Sequence, residues 1–457
     1  MSETSIDVLV IGAGIAGLVA ANRAAQLGQR VVVLEKGTED KYLCNSRYAY
    51  GTFHINYSDL GQDEDVLVAR IEAATEGHAR KDLARAVAKD GRRLMQWLKS
   101  EGIDVIALDG YQTNVLAPAW RKGYGLTWKD YGADICLQRL GTNLEKRQGR
   151  ILRGRRATAI RADKNGLIVE AGSETFRATA VVIADGGFQA NLDMVREFGI
   201  SPAPEKLLQR NGGTAVGDGI RLAQSLGGAI MNMNNIYGHL HSIDAMKTDR
   251  LWPRPYLDEV AASGIVVDGS GRRVGDEGLG GVWMSNAIAR LPDPLGTTII
   301  CDQPIWDGPG RNHVQPPNPL VQEAGGTVYR ADTLAELAGL AGLPAKALEE
   351  TVAQYNAALD AGTFPNLSPP RSTKNKPWPI KTPPYYALPI CVAITNCMGG
   401  IVVDGDGRVL DKNDTPIPGL YAAGSTVGGL DGGPHAGYVG GLIKATIGLR
   451  AAEKIAA

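Results

Sequence analysis

The spacing of apolar positions changes period within the first thirty-five residues. The run Ile6–Ile11, IDVLVI, is almost continuously apolar, which predicts a strand buried on both faces. From residue 15 the apolar positions recur at helical spacing, and that pattern stops near Gly28. A β-branched run at 30–34 follows and ends on Glu35. Residues 63–101 repeat at helical spacing with mixed charge, predicting two solvated helices over the sheet, and 133–149 predict another helix. Residues 156–188 predict three short strands, with turns at Asn165-Gly166 and Gly172-Ser173 and a buried strand at 181–183. After about residue 235 the pattern shifts to strands at 264–269 and 297–302, helices within 333–361, and a proline-rich run at 365–386 that reads as a linker. The chain closes with a hairpin over 397–411, turning at 404–407, and a glycine-punctuated helix from about 440.

The turn between the first strand and helix carries Gly12, Gly14 and Gly17 in GxGxxG spacing. Gly12 permits the tight turn, Gly14 lets the backbone approach a pyrophosphate, and Gly17 lets helix and strand pack closely. The helix N-terminus offers free N–H groups and partial positive charge to phosphates. Glu35 can accept from both ribose hydroxyls and would repel a 2′-phosphate. Strand, glycines, helix, strand and acid together predict a nucleotide site.

At 457 residues the chain is long enough for two domains. A formal net charge of −1, without basic blocks, gives no electrostatic case for nucleic acid. No apolar run approaches the roughly 20 residues needed to span a bilayer. The first residues lead directly into a strand, so the expected location is cytoplasmic. The five cysteines are scattered without CxxC spacing, as expected of reduced thiols. His239-x-His241 could supply two metal ligands, but no third cluster accompanies them, so no metal is expected.

Several blocks in this order resemble the fumarate reductase/succinate dehydrogenase flavoprotein superfamily: Gly12 to Gly17, Glu35, Asn45-Ser46, Asp185-Gly186-Gly187, Gly217-Asp218-Gly219, Met398-Gly399-Gly400, and PGLYAAG ending at Gly424. The pattern is most similar to the tricarballylate dehydrogenase and 3-ketosteroid dehydrogenase branches. The shift in composition after about residue 235 and the proline-rich exit bound an inserted domain at 237–387. The resemblance implies an α/β protein in which this is an α+β capping domain within a Rossmann-type FAD-binding domain (1–236 and 388–457). It implies non-covalent FAD, since the family's attachment histidine has no counterpart in the 45–51 loop and His54 lies beyond it.

The expected FAD contacts fall in five groups. The first turn supplies Gly12, Gly14, Ile15, Ala16 and Gly17, and the second strand supplies Glu35 and Lys36. The following loop supplies Asn45, Ser46, Arg47 and Gly51, and the middle of the chain supplies Ala157, Asp185, Gly186 and Asp218. The last segment supplies Gly424, Ser425, Gly440, Gly441 and Leu442.

The departures bear on substrate. The dicarboxylate reductases carry a proton-donating arginine four residues after the cap glutamate, which corresponds to Glu277; here that position is Gly281. Their substrate-binding histidine is replaced within Asn396-Cys397-Met398, and their C-terminal arginine is missing. The other two branches carry a tyrosine in the C-terminal block, and by position His435 stands there.

The expected reaction is α,β-dehydrogenation of a carbonyl-activated small molecule, a cyclic ketone or related acid, with hydride passing to flavin and a side chain taking the α-proton. The alternatives are an ene-reductase running in the opposite direction and a tricarballylate-type dehydrogenase. His435, Tyr438, His239 and Tyr256 are the candidates for polarising the carbonyl or moving the proton. Trp252 could line the pocket. Arg254 and Arg290 could bind a carboxylate or make ordinary surface ion pairs, and aromatic residues between 110 and 131 could line an entrance. No second GxGxxG for a nicotinamide is present, so electrons are expected to leave to an external acceptor: oxygen, a quinone or a dye. The GDAAH-type block of flavin hydroxylases and the paired cysteines of disulfide reductases are both missing. An FAD-stabilised binding protein without chemistry is the non-enzymatic alternative.

Overall fold

The computed structural model describes residues 6–108, 113–119, 123–312 and 315–457. Tyr111 and Trp120, two of the aromatic positions expected near an entrance, lie outside them.

The strand Ile6–Ile11 runs through the middle of the larger sheet. Val10 pairs in parallel register with Val33 on one side and with Val182 on the other. The path across the sheet is Arg408–Leu410, Pro416–Ala422, Glu174–Ile183, Ile6–Ile11, Val31–Glu35, Arg150–Arg153. Val8, Leu9 and Val10 are fully buried, because helices cover this parallel core on its faces, and burial on both sides removes the alternation that half-exposed strands show. Glu174–Ile183 pairs antiparallel with Gly166–Ala171 and parallel with Ile6–Ile11, so it joins the predicted meander to the central sheet.

The helix Ile15–Gln26 packs against both Gly132–Lys146 and Ala445–Ala456. The predicted two-helix segment forms as Glu64–Thr75 and Lys81–Ser100. The second is more than a solvated cover: Leu83, Val87, Leu94 and Leu98 make a buried stripe at helical spacing, and the helix packs on Ala445–Ala456. The C-terminal helix starts later than its pattern suggested. Leu442–Lys444 is a single 3-10 turn and the α-helix covers Ala445–Ala456, consistent with the poor helix propensity of Gly440 and Gly441.

The second sheet is organised on one long strand, Tyr385–Cys397, of 13 residues. It pairs with Ile236–Ser242, Thr297–Asp302, Tyr329–Ala331 and Leu208–Gln209. The dividing point set at 387 from composition falls inside this strand. We propose that this sheet is the core of the capping domain and that its last strand carries the chain back to the first sheet. The proline-rich run is not free. Arg371 is fully buried and donates to the carbonyls of Ala262 and Asn375, and the Ser372 backbone donates to Asp276.

The two sheets meet at a short helix, Asn45–Tyr48. Asn45 accepts from Gly212 N and donates to Thr395 O, each at 3.0 Å. Ser46 Oγ accepts from Ile15 N at 3.0 Å, at the start of the first helix. This ties the glycine turn to the end of Tyr385–Cys397 and sets the cleft between them. Among the described residues, no helix is long and apolar enough to cross a membrane.

Candidate functional site

One cleft of about 320 Å³ runs from the glycine turn to the second sheet, within the size range of small-molecule sites. At its first end Gly12 has φ +99°, and a Cβ there would lie 2.6 Å from Ala184 O, so only glycine makes this turn. Gly14 faces the cleft, where an added Cβ would meet only Ser46 Oγ, at 3.2 Å. Glu35 is buried, with Oε2 accepting from Ala13 N at 3.0 Å and Oε1 from Gly37 N at 2.7 Å. Each oxygen retains acceptor capacity, and the side chain lines the cleft. Asp185 also lines it, with Oδ2 accepting from Gly219 N at 2.7 Å. Its Oδ1 has no partner among the described residues, and burial pushes the carboxyl up to about 6. Asp218 pairs with Arg156 at 2.7 Å and with Lys36 at 3.8 Å beside it.

The far end is a cluster of rings and cations. Tyr237 and Tyr438 stack with centroids 3.8 Å apart at 11°. Tyr57 approaches Tyr438 at 6.4 Å and stacks on His54 at 4.7 Å. Burial pushes the Tyr237 phenol above its ordinary range, while Arg210 and hydrogen bonding with Tyr57 and Tyr438 pull it down. The three hydroxyls are thus linked in series, Tyr57–Tyr237–Tyr438, and their two internal bonds leave one of the three protons to donate outward. His54 Nδ1 accepts from Tyr57 N at 3.1 Å, and burial lowers that imidazole to about 4, so the ring is neutral with its proton on Nε2.

His239 faces the same space with Nδ1 2.6 Å from Asp258 Oδ2, and its ring stacks on Tyr256 at 4.4 Å. Arg210 and Arg254 line the cleft too. Arg210 donates to Thr395 Oγ1 at 2.7 Å, and Arg254 lies over the Tyr50 ring at 4.3 Å. Neither makes an ion pair among the described residues. Trp252 and Tyr48 lie at the cleft, 6.3 Å apart, and Trp128 approaches Tyr48 at 5.8 Å, so part of the expected aromatic entrance forms here.

The cleft gathers most of the residues expected from sequence. Gly12, Gly14, Ile15, Ala16, Glu35, Lys36, Asn45, Ser46, Gly51, Ala157, Asp185, Gly186, Asp218, Gly424, Ser425, Gly441 and Leu442 line it, as do Tyr438, His239 and Tyr256. The remaining expected residues lie outside the cleft.

His435 is exposed, outside the cleft, with Nδ1 2.6 Å from Glu76 Oε1. Gly432 and Gly437 bridge to each other, and the loop between them packs on the end of helix Glu64–Thr75, which turns His435 away from the rings. Gly17 makes the close approach of helix to turn expected of it, packed on Gly12 O, and so lies beneath the cleft and not among the residues lining it. Gly440 lies behind the cleft wall against His54 O. Arg47 is 2% exposed and forms an ion pair with fully buried Asp134, so it braces the loop from behind. Arg290 also lies away from the cleft, bonded to Asn234 O and Asn235 Oδ1.

Breaking a buried pair strands a charge, at a cost of about 3 to 5 kcal/mol. Arg47→Met is expected near the lower figure, because Lys41 stays 3.2 Å from Asp134. The check is a fall in the urea midpoint; an unchanged midpoint contradicts the bracing role. The residues that sequence reasoning missed are Tyr237, Tyr57, Arg210 and Asp258. For Tyr237 a signal existed, since Tyr237, His239 and His241 alternate along one strand and share a face.

The chain matches the family model for an FAD binding domain over residues 7–437. It is 24% identical to NADH:acrylate oxidoreductase of Vibrio harveyi over 95% of this chain and 49% of that protein. The chain thus spans about half the length of that relative. It is 25% identical to 4-oxocyclohexanecarboxylate 2-dehydrogenase of Sinomonas cyclohexanicum over 96% of this chain and 90% of that protein. In fold it resembles a 3-ketosteroid delta1-dehydrogenase from Sterolibacterium denitrificans, with TM-score 0.72 at 21% identity over 99% of both chains.

Proposed function

From the premise that this chain belongs to the FAD-binding-domain family of flavin oxidoreductases, we propose that it removes two hydrogens from adjacent carbons of a carbonyl-activated small molecule. The observation that carries this reading is the cleft itself. It joins a dinucleotide cradle to a cluster of phenols, an imidazole and two guanidiniums in one continuous space.

The residues present fit FAD. The backbone at Gly14 is open toward the cleft, Glu35 keeps acceptor capacity for ribose hydroxyls, and Asp185 Oδ1 is a buried acceptor without a partner among the described residues. Gly424, Ser425, Gly441 and Leu442 would hold the other end from the C-terminal segment. When bound, the flavin supplies two-electron hydride chemistry, and the protein supplies position and polarity.

The Tyr438 hydroxyl, with Tyr57 and Tyr237 linked in series behind it, is the donor that would hold the substrate carbonyl oxygen and stabilise the enolate charge that develops there. Arg210 and Arg254 face the cleft without ion-pair partners among the described residues, which favours a substrate carrying a carboxylate. A cyclic keto acid satisfies both demands, and the similarity to 4-oxocyclohexanecarboxylate 2-dehydrogenase supports that class. The opposite direction, reduction of an unsaturated acid, is the second reading, supported by the similarity to the acrylate enzyme. Electrons would leave to an external acceptor such as oxygen, a quinone or a dye.

The test is anaerobic bleaching of the yellow protein with cyclohexanone, levulinate and 4-oxocyclohexanecarboxylate. A dehydrogenase bleaches with the saturated ketone, fastest with the cyclic keto acid. A reductase instead reoxidises dithionite-reduced flavin when given the enone or enoate. If no member of either set changes the flavin spectrum, the reading fails.

A further inference from the structure

We infer that His239 is the group that moves the α-proton, held in its active tautomer by Asp258, and that Gly281 is glycine to leave room for that carboxylate. This rests on the reading of the cleft given above.

His239 lies on the strand Ile236–Ser242 and is 5% exposed. Tyr256 stacks on its face at 22°, and the ring of Tyr237 meets it at 4.9 Å and 78°. These rings fix the imidazole plane. Asp258 Oδ2 lies 2.6 Å from Nδ1, and Oδ1 accepts from Leu240 N at 2.8 Å. The second bond holds the carboxylate in one orientation, so Nδ1 is the donor to Asp258. The neutral ring then carries its lone pair on Nε2, at the cleft wall.

Gly281 opens the helix Gly281–Ala289 behind this pair. A Cβ built there would overlap Asp258 Cγ and its neighbours, well inside van der Waals contact. Any side chain at 281 therefore displaces the carboxylate. This is the position at which the dicarboxylate reductases resembled in sequence carry their arginine, so an arginine here and the His239–Asp258 pair exclude one another.

His239 Nε2 takes the α-proton, and that C–H electron pair becomes the new C=C bond. The hydride leaves the β-carbon for FAD, which is the oxidant. The imidazolium keeps Nδ1–H on Asp258 and later releases the Nε2 proton to water. Asp258 is a positioning residue, acting through His239.

The groups facing His239 are Asp258 and Tyr256 from one segment, Tyr237 and His241 on its own strand, and Arg210 and Arg254 across the cleft. Burial holds the imidazole below its ordinary range, Asp258 opposes this, and the two arginines add to it. Bleaching should therefore fall only on the acid side, as Nε2 becomes protonated.

The experiment uses the full chain loaded with FAD, in three readouts. Long-range nitrogen–proton NMR of histidine-labelled protein should show, besides His241 with Nδ1 on Leu251 O, a neutral histidine protonated on Nδ1 whose signal His239→Gln removes. In D2O the protein should exchange the α-protons of cyclohexanone or levulinate, whether or not the flavin bleaches. Asp258→Asn should stay yellow, slow exchange and bleaching at least about 100-fold, and move the acid limb to lower pH. Gly281→Ala should reproduce these effects with both partners still present.

The assignment is overturned if His239 carries its proton on Nε2, if wild type exchanges neither probe, or if Asp258→Asn and Gly281→Ala both exchange at the wild-type rate. Exchange without bleaching would leave the His239–Asp258 pair standing and remove the redox reading.

Discussion

Gly17→Ala is expected to yield protein that neither holds flavin nor keeps its thermal stability. Gly17 belongs to the first helix, and an added Cβ would overlap Gly12 O, with Ala184 Cβ 3.3 Å away. Relief by a side-chain rotation is not available, because the obstructing atom is backbone. Gly12 cannot retreat either: its N–H donates to Leu34 O at 2.8 Å, and its own Cβ direction is closed by Ala184 O. Overpacking of this kind costs about 1 to 3 kcal/mol and occasionally more, and a backbone clash at the sheet's central crossing belongs at the upper end. The helix start must swing outward, taking with it the N–H groups that face the pyrophosphate.

Gly14→Ala provides the contrast. Its Cβ meets only Ser46 Oγ, at 3.2 Å, and otherwise points into the cleft. The apo melting temperature should stay near wild type while flavin content drops. Both variants are read by visible absorbance after purification and by thermal unfolding with flavin removed. A fully yellow Gly17→Ala protein would contradict the close packing of helix and turn.

The elements around Gly17 were legible because their pattern is local. A continuous apolar run, three glycines and an acid at the end of the next strand lie within thirty residues, and each has one physical job. The chemistry was less legible because it is assembled from distant segments. Arg210, Tyr237 with His239, Asp258 and Tyr438 come from four stretches, brought together by the pairing of Ile236–Ser242 with Tyr385–Cys397. Asp258 opens a short helix, Asp258–Ser263, with no mark in the sequence, and only the space at Gly281 reveals why it points inward. His435 was selected by its position in a glycine-rich block. Position in a block does not fix direction, and a bridge between Gly432 and Gly437 turns that loop onto Glu76. The dividing point at 387 falls inside the strand Tyr385–Cys397, whose partners all belong to the second sheet, because a mostly buried apolar strand carries no change of pattern to mark a boundary within it.

Tyr438→Phe is expected to slow anaerobic flavin bleaching by about 100- to 1000-fold, the cost typical of removing one preorganised donor from a developing oxyanion. The substitution is chosen to remove only the hydroxyl. The ring would keep its stack on Tyr237 at 3.8 Å, and its segment would keep its anchors, since Val439 N donates to Asp431 Oδ1 at 2.7 Å and Lys444 pairs with the same aspartate. Flavin content should therefore stay at the wild-type level. Tyr237→Phe removes the hydroxyl that links Tyr57 to Tyr438, so the Tyr438 hydroxyl loses the partner that aligns it. The double variant should be little slower than either single one, because residues acting as one hydrogen-bonded unit do not add. His435→Ala should bleach at the wild-type rate, since its imidazole faces Glu76 and not the rings. A fast Tyr438→Phe enzyme beside a slow His435→Ala enzyme would mean that the C-terminal block turns in solution to present its histidine, and the roles assigned to the stacked tyrosines would have to be withdrawn.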